Sequence, residues 1–425
     1  MISLHQLIEK SVSPFHQVRT LIQQLESEGF AERKLNEKWD LKQGDKFFVS
    51  PYSSCLFAFA IGEDDAKNCS LRIVSAHTDF PCFKIKPACE ISENGYYKLN
   101  TEVYGGPLLN TWMDRPLSIA GKAALKSQNP FRPEIRLLDF DRPLLTIPNL
   151  AIHLNKDANK GIELNRQKDV LPIADMIKSS VNEKFFTEYL SKELGVEKSE
   201  ILDFELFVYQ YEKGGTIGFE ETMYSSPRLD NVTGVHACLH GILNGDRKNG
   251  INVAAFFDNE EVGSRTKQGA DSGLFEILLE KIYLSLGKNR EDMHADVAEG
   301  MMLSVDVGHC LHPNYPEKND ITNRVILNKG LIIKYAASQA YAGDCEAGGA
   351  VMQLCEKNNI PYQKYLNRSD GSSGSTLGSI FSTNLPIRTM DVGIPLLAMH
   401  SARELMGTDD QNSLNRLMQV FFSEE

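Results

Sequence analysis

INVAAFFDNEEVGS, residues 251–264, is the stretch on which the fold turns. From Ile251 to Phe257 only Asn252 is polar, so the run reads as a buried core strand that opens into a loop at Asp258. The loop then carries two adjacent glutamates, Glu260 and Glu261, at the mouth of the core. Neighbouring carboxylates repel, and a partly buried one needs a proton, a cation or a set of hydrogen-bond donors.

Working outward, the same texture recurs. Leu56–Ile61, Leu71–Ala76 and Met301–Val305 read as further core strands. Helices alternate with them. Ser13-Pro14 supplies a capping hydroxyl and a first-turn proline ahead of Val18, Leu21, Ile22 and Leu25, with Gly29 as the stop. Val232, Val235, Leu239, Ile242 and Leu243 share one face of a helix beginning just beyond Asp230, and Leu274–Leu286 is another. Strands alternating with helices predict an α/β fold with a mostly parallel sheet and helices on both faces.

Between these parts the pattern changes. Asn94-Gly95 marks a tight hairpin between short strands, and Leu117–Leu125, Glu134–Phe140 and Phe204–Tyr209 alternate in the manner of strands, with one helix near Ile173–Leu194. The expected organisation is a discontinuous catalytic domain, 1–84 and 223–425, with a β-rich domain inserted over 85–222.

Composition narrows the partners. The chain has 425 residues, 42% hydrophobic and 24% charged, in the range of a soluble globular protein of more than one domain. A net charge of −12 disfavours nucleic acid, and an acidic substrate would need a local basic group. No run of eighteen apolar residues predicts a membrane span, and MISLHQLIEKSVSPF lacks the features of an export signal. The eight cysteines are scattered without a CxxC pair, which points to reduced thiols and a cytoplasmic location.

Metal-capable residues follow one apolar run after another: His77 after LRIVSA, Glu260 and Glu261 after INVAAFF, Asp306 after MMLSV, and His400 after PLLAM. In open α/β sheets ligands bind beyond the carboxyl ends of the strands, so these segments are expected to share a rim. Imidazoles and carboxylates without a thiolate suit zinc, cobalt or manganese. Asp230, at the head of its helix, is suited to bridge two such ions. Neighbours on an extended segment point in different directions, so one glutamate can ligate while the other takes a proton from water.

Each feature has an ordinary counterpart. Paired glutamates among 57 acidic residues read as a solvated turn, Asp230-Asn231 as a helix cap, and a lone strand-end histidine as a rim residue. The shared position at strand ends outweighs those readings. His236 and His240 are spaced as in HExxH, but Ala237 stands where the base would be, so both read as packing or capping residues. His309 and His312 read as structural neighbours of the site.

SAHTDFPC (75–82), YGGPLLNTWMDRPL (104–117), SPRLDN (226–231), FDNEEVGS (257–264), DVGHCLHPN (306–314), RSDGSSGSTLG (368–378) and AMHSARE (398–404) together resemble the M18 metallopeptidases, the aspartyl aminopeptidase family. The likeness runs in order along nearly the whole chain. It implies a two-metal aminopeptidase with His77 and Asp306 on one ion, Glu261 and His400 on the other, and Asp230 bridging. Glu260 is then the catalytic base, and Asp79 orients His77. The ions are expected to be zinc, with cobalt or manganese as substitutes. The resemblance also implies a homo-oligomer, a tetrahedral dodecamer, in which His153 of AIHLN (151–155) reaches a neighbouring active site. Lys334 matches a substrate-contacting lysine, and Gly374, Ser375 and Thr376 border the pocket.

The chain departs from the family's R-N-D-x-x-C-G-S-T-[IL]-G-P block at Ser369, Ser373 and Ser379. These changes leave the ligand set intact and bear on specificity. Peptide substrates with acidic N-terminal residues, read by Lys334 or Arg368, are one expectation. A broad neutral aminopeptidase, a deacylase of N-acyl amino acids and a non-catalytic scaffold are the alternatives.

Overall fold

A computed structural model describes residues 1–64, 71–178, 181–371 and 374–425. Cys69 and the departure at Ser373 lie outside the described residues.

The strand Ile251–Phe257 lies inside a nine-stranded sheet, between Leu71–His77, parallel to it, and Cys55–Ile61, antiparallel. Met301–Val305 and Arg388–Gly393 continue the parallel set on the far side of Leu71–His77. Antiparallel pairs fall toward the flanks, Lys46–Tyr52 with Cys55–Ile61 and Leu331–Lys334 with Arg388–Gly393.

Strand geometry explains the uninterrupted apolar run. Successive side chains point to opposite faces, and both faces are covered. Ala254 and Phe256 pack with Val74, Leu303 and the helix Leu229–Asn244, whereas Val253, Ala255 and Phe257 pack with Ile73, Phe57 and the helix Leu274–Ser285. The helix Leu229–Asn244 is buried nearly all round, beyond the single face expected, because the helix Asp410–Phe421 covers its outer side.

A six-stranded antiparallel sheet is built from segments between Cys82 and Gln210, over its own core. Asn94 and Gly95 both adopt positive φ (55° and 87°) and turn the chain between Cys82–Glu93 and Tyr96–Tyr104. These strands are longer than the sequence suggested, 12 and 9 residues. The helix near Ile173–Leu194 is also corrected: Ile173–Met176 is an edge strand paired with Tyr96–Lys98, and the helix is Phe185–Leu194. Pro172 removes a backbone donor and holds Leu171 away from helical geometry, which favours the edge-strand entry.

A third sheet of five short strands was not foreseen. Gly215–Ile217, Met223–Ser226, Glu404–Gly407, Pro395–Leu397 and Gly308–His309 lie side by side in that order. It brings the segments before Asp230 and around His400 next to each other. Among the described residues no helix is long and apolar enough to cross a membrane.

Candidate active site

Parallel pairing sets the site. Phe257 is in register with His77, and Val305 with Val392, so the carboxyl ends of neighbouring strands finish at one rim. Asp258-Asn259, Asp306 and Thr78-Asp79 leave from that rim.

His77, at the strand end, is 1% exposed. Its Nε2 lies 3.4 Å from Asp230 Oδ1 and 3.6 Å from Asp306 Oδ1. His400 Nε2 lies 3.3 Å from the other Asp230 oxygen and 3.6 Å from Glu261 Oε2. The Asp230 carboxylate therefore stands between the two imidazoles, one oxygen toward each. Donor atoms held 2.0–2.1 Å from a tetrahedral zinc ion lie about 3.3–3.4 Å apart, close to these separations. Among the described residues no hydrogen-bond donor reaches the buried acceptors Asp230 Oδ1 and Glu261 Oε1, as expected of atoms waiting for a cation. Imidazole and carboxylate donors of this kind suit zinc, and among the described residues three groups, His77–Asp230–Asp306, Asp230–Glu261–His400 and His77–Glu260–Glu261, bring their donor atoms together.

The two neighbouring residues at the helix entry divide the work. Asn231, rather than Asp230, serves the helix: its Oδ1 accepts from Gly234 N–H at 3.2 Å and its Nδ2 donates to the Val305 carbonyl at 2.7 Å. The Asp230 side chain is left to the site.

His400 does not extend a strand of the large sheet. It follows Pro395–Leu397 of the third sheet through a turn in which Ala398 and His400 have positive φ. The glutamate pair also differs from the extended segment expected. Asn259 at φ 64° turns the chain into a 3₁₀ turn, Glu260–Val262. Asp79 fixes that turn: its Oδ1 accepts Glu260 N–H and its Oδ2 accepts Glu261 N–H, each at 3.1 Å. The same carboxylate takes the Tyr104 hydroxyl at 2.8 Å and faces His77 Nδ1 at 3.4 Å.

Burial pushes the Glu260 carboxyl up to about 8, with Asp306, Asp79 and Asp230 adding repulsion that His77 opposes. Burial likewise raises Glu261 well above the usual carboxylate range, with Asp230 next. Asp230 goes the other way: burial would raise it, but the neighbouring imidazoles of His400 and His77 hold it well below its ordinary value. Burial would lower His400, yet Asp230 and Glu261 carry it up to about 10. Such a cluster is short of positive charge, and divalent cations would take the place of the protons it otherwise recruits.

A cavity of about 380 Å³ opens over these groups and is also lined by His309, Lys334, Tyr341, Gly374, Ser375 and Thr376. Lys334 is fully buried. Its ammonium donates to the Asp306 and Val307 carbonyls at 3.2 and 2.9 Å and lies 3.7 Å from Asp306 Oδ2. Arg368 is outside this cavity, paired through both forks of its guanidinium with Asp370. His153 is exposed on a turn and lines no part of the cavity within one chain. His236 is bonded to Ile2 O and Asn415, a packing role.

Sequence reasoning missed Glu404. Buried at 2% exposure, it accepts Asp230 N–H through Oε2 and His400 N–H through Oε1. Tyr104, Gly105 and Gly106 were missed as well. Gly106 O lies 3.1 Å from His400 Nδ1, and a side chain at Gly105 (φ 71°) would meet Glu261 at 3.2 Å. All four stand inside the motif blocks YGGP and AMHSARE, which was the available signal.

The family model described as aminopeptidase I zinc metalloprotease (M18) matches residues 7–422. A "Probable M18 family aminopeptidase 2" of Clostridium novyi (strain NT) is 47% identical over 418 residues, 98% of this chain and 96% of that protein. Among solved structures, a chain in the cryo-EM structure of the Ape4 and Nbr1 complex superposes with a TM-score of 0.94 at 30% identity, covering 99% of this chain and 84% of that one. The S. cerevisiae mApe1 dodecamer shares the fold at a TM-score of 0.84 and 24% identity, covering 99% and 95% of the two chains.

Proposed function

The chain belongs to the M18 family of zinc metallo-aminopeptidases, hydrolases of peptide bonds, and from that premise we propose that it removes single N-terminal residues from peptides at a two-ion centre. His77 and Asp306 would hold one ion, Glu261 and His400 the other, with Asp230 shared. The observation that carries this reading is the Asp230 carboxylate directed at both imidazoles, 3.4 and 3.3 Å away. Zinc is the metal the family description names; cobalt or manganese would suit the same donors. When bound, the ions supply the Lewis acid that polarises the scissile carbonyl and acidifies water.

The chain's own residues do the rest. Glu260, on the same turn as Glu261 but left out of both donor groups that contain Asp230, takes a proton from the attacking water and returns it to the leaving amine. Asp79 holds the turn bearing both glutamates and fixes the tautomer of His77.

Selectivity for an acidic N-terminal side chain would fall to Lys334, the one Lys or Arg among the described lining residues, with an N–H not used by the two carbonyls. A broad neutral preference is the second reading, favoured by the engagement of Lys334 with Asp306 and of Arg368 with Asp370. Aminoacyl-amide substrates bearing Asp, Glu, Leu and Met, beside N-acyl amino acids, on protein reconstituted with zinc, cobalt or manganese, test both. Hydrolysis of the N-acyl compounds alone would overturn the aminopeptidase reading.

We read residues 85–222 as the assembly unit of a homo-oligomer, a dodecamer like that of mApe1, with His153 offered to a neighbouring subunit. Exposed Ile152 and Leu154 beside it support an interface there. Cytoplasmic residence is supported by the described cysteines, all free.

A further inference from the structure

Tyr104 closes the strand Tyr96–Tyr104 of the six-stranded sheet, in register with Cys82, and its ring meets the Phe207 ring edge-on at 5.9 Å. It is not among the described residues that line the catalytic cavity. Its hydroxyl nevertheless reaches the turn carrying Glu260 and Glu261 at two points. It donates to Asp79 Oδ2 at 2.8 Å and accepts from Asn259 Nδ2 at 2.8 Å. Gly105 and Gly106, next in the chain, stand against Glu261 and His400.

Donor count fixes the direction of these bonds. Asn259 Oδ1 accepts the Thr266 hydroxyl at 2.8 Å and Gln268 Nε2 at 3.0 Å, so the amide presents Nδ2 to the phenol. That nitrogen can only donate, and the phenol has a single proton, which is left for Asp79. Asp79 in turn receives Glu260 N–H and Glu261 N–H. Asn259 itself sits at φ 64°, in the left-handed region, and starts the turn. One hydroxyl therefore ties the residue that starts the turn to the carboxylate that accepts its N–H groups.

We infer that Tyr104 is a positioning residue of the active site, through which the six-stranded sheet holds the Glu260–Glu261 turn and the orientation of Asp79 toward His77. It acts on the base and on one imidazole without touching the substrate. Its catalytic consequence rests on the aminopeptidase reading; its effect on the geometry of the ligands does not.

Tyr209 supplies a matched control. Its hydroxyl donates to Asp139 Oδ1, also at 2.8 Å and from the same sheet, and it too is absent from the described lining of the catalytic cavity. Tyr104→Phe and Tyr209→Phe each keep the ring and remove a phenol–carboxylate bond. On an aminoacyl-amide substrate at saturating zinc, Tyr104→Phe is expected to lower kcat about tenfold or more with KM within about twofold, the scale of a lost outer partner of a metal ligand. Tyr209→Phe is expected to leave both constants unchanged. Visible absorption of the cobalt(II)-loaded full chain, which reads ligand geometry without turnover, is expected to shift for Tyr104→Phe alone. A wild-type kcat in Tyr104→Phe overturns the inference, as does an equal loss in Tyr209→Phe. A wild-type chain that cleaves no peptide sinks the aminopeptidase reading instead, and an unshifted cobalt band then overturns this inference separately. Should Tyr104→Phe not fold, Asn259→Gly tolerates φ 64° and removes the amide. It is expected to lower kcat likewise, and normal turnover there overturns the inference.

Discussion

Glu404 accepts the backbone N–H of Asp230 at 3.1 Å, from a position 174 residues further along the chain. Its second oxygen holds His400 N–H at 2.8 Å, so one buried carboxylate fixes the backbone of both Asp230 and His400. Glu404→Gln puts an NH₂ group against one of those two donors. We expect a loss of about 1–3 kcal/mol in unfolding free energy, the cost of an unsatisfied buried group. Metal content should fall with it; elemental analysis and urea denaturation check both. Wild-type metal content would remove Glu404 from the positioning of the site.

Glu260→Gln should keep the metals and lose turnover. The substitution preserves shape and removes only the proton acceptor, so kcat should drop by about 10²–10⁴-fold. A variant with normal turnover and full metal content would transfer the role of base elsewhere.

Asp230→Asn should instead empty the centre. The amide presents one acceptor oxygen where the carboxylate presents two, and each of those faces a different imidazole. In the wild type, chelation should lower Tm, because Glu260, Glu261 and Asp306 then face one another without a cation. A chelator-insensitive melting curve would argue that these carboxylates do not hold a metal.

His153→Ala should impair catalysis with the metals retained. Coexpression with Glu260→Gln should recover part of the activity, since a mixed assembly contains sites with an intact glutamate from one subunit and an intact histidine from another. No recovery in verified mixed oligomers would confine each site to its own chain.

His16 predicts a pH dependence of stability. Burial, with Arg19 nearby, lowers its folded pKa from 6.5 to about 4. The unfolded chain therefore binds the proton more readily between those values, and stability rises with pH across the window. The contribution is fully present above pH 6.5 and is lost as pH falls toward 4, up to about 3 kcal/mol. Urea unfolding of wild type and His16→Gln from pH 7 to 4 should converge at the acid end by that amount.

Elements governed by local pattern were legible. Ser13 does cap the helix Pro14–Ser27, Asn94-Gly95 does turn a hairpin, and Met301–Val305 ends at Asp306 as its apolar run does. Ile173–Met176 was not legible as a strand, because edge pairing with Tyr96–Lys98 overrides the propensity of a short segment. The 3₁₀ turn at Glu260 was hidden for a related reason: the acceptor that fixes it, Asp79, is 181 residues away.

The sequence by itself determined which residues can carry metal chemistry and that they follow buried strands, since both depend on side-chain type and local periodicity. Only the tertiary structure decided how they meet. Parallel register levels the strand ends of His77 and Phe257, and a separate small sheet delivers His400. Glu404 and Asp79 then clamp the backbone with hydrogen bonds between distant segments. Such bonds join groups whose proximity follows from packing of the whole chain, and a linear pattern has no term for it.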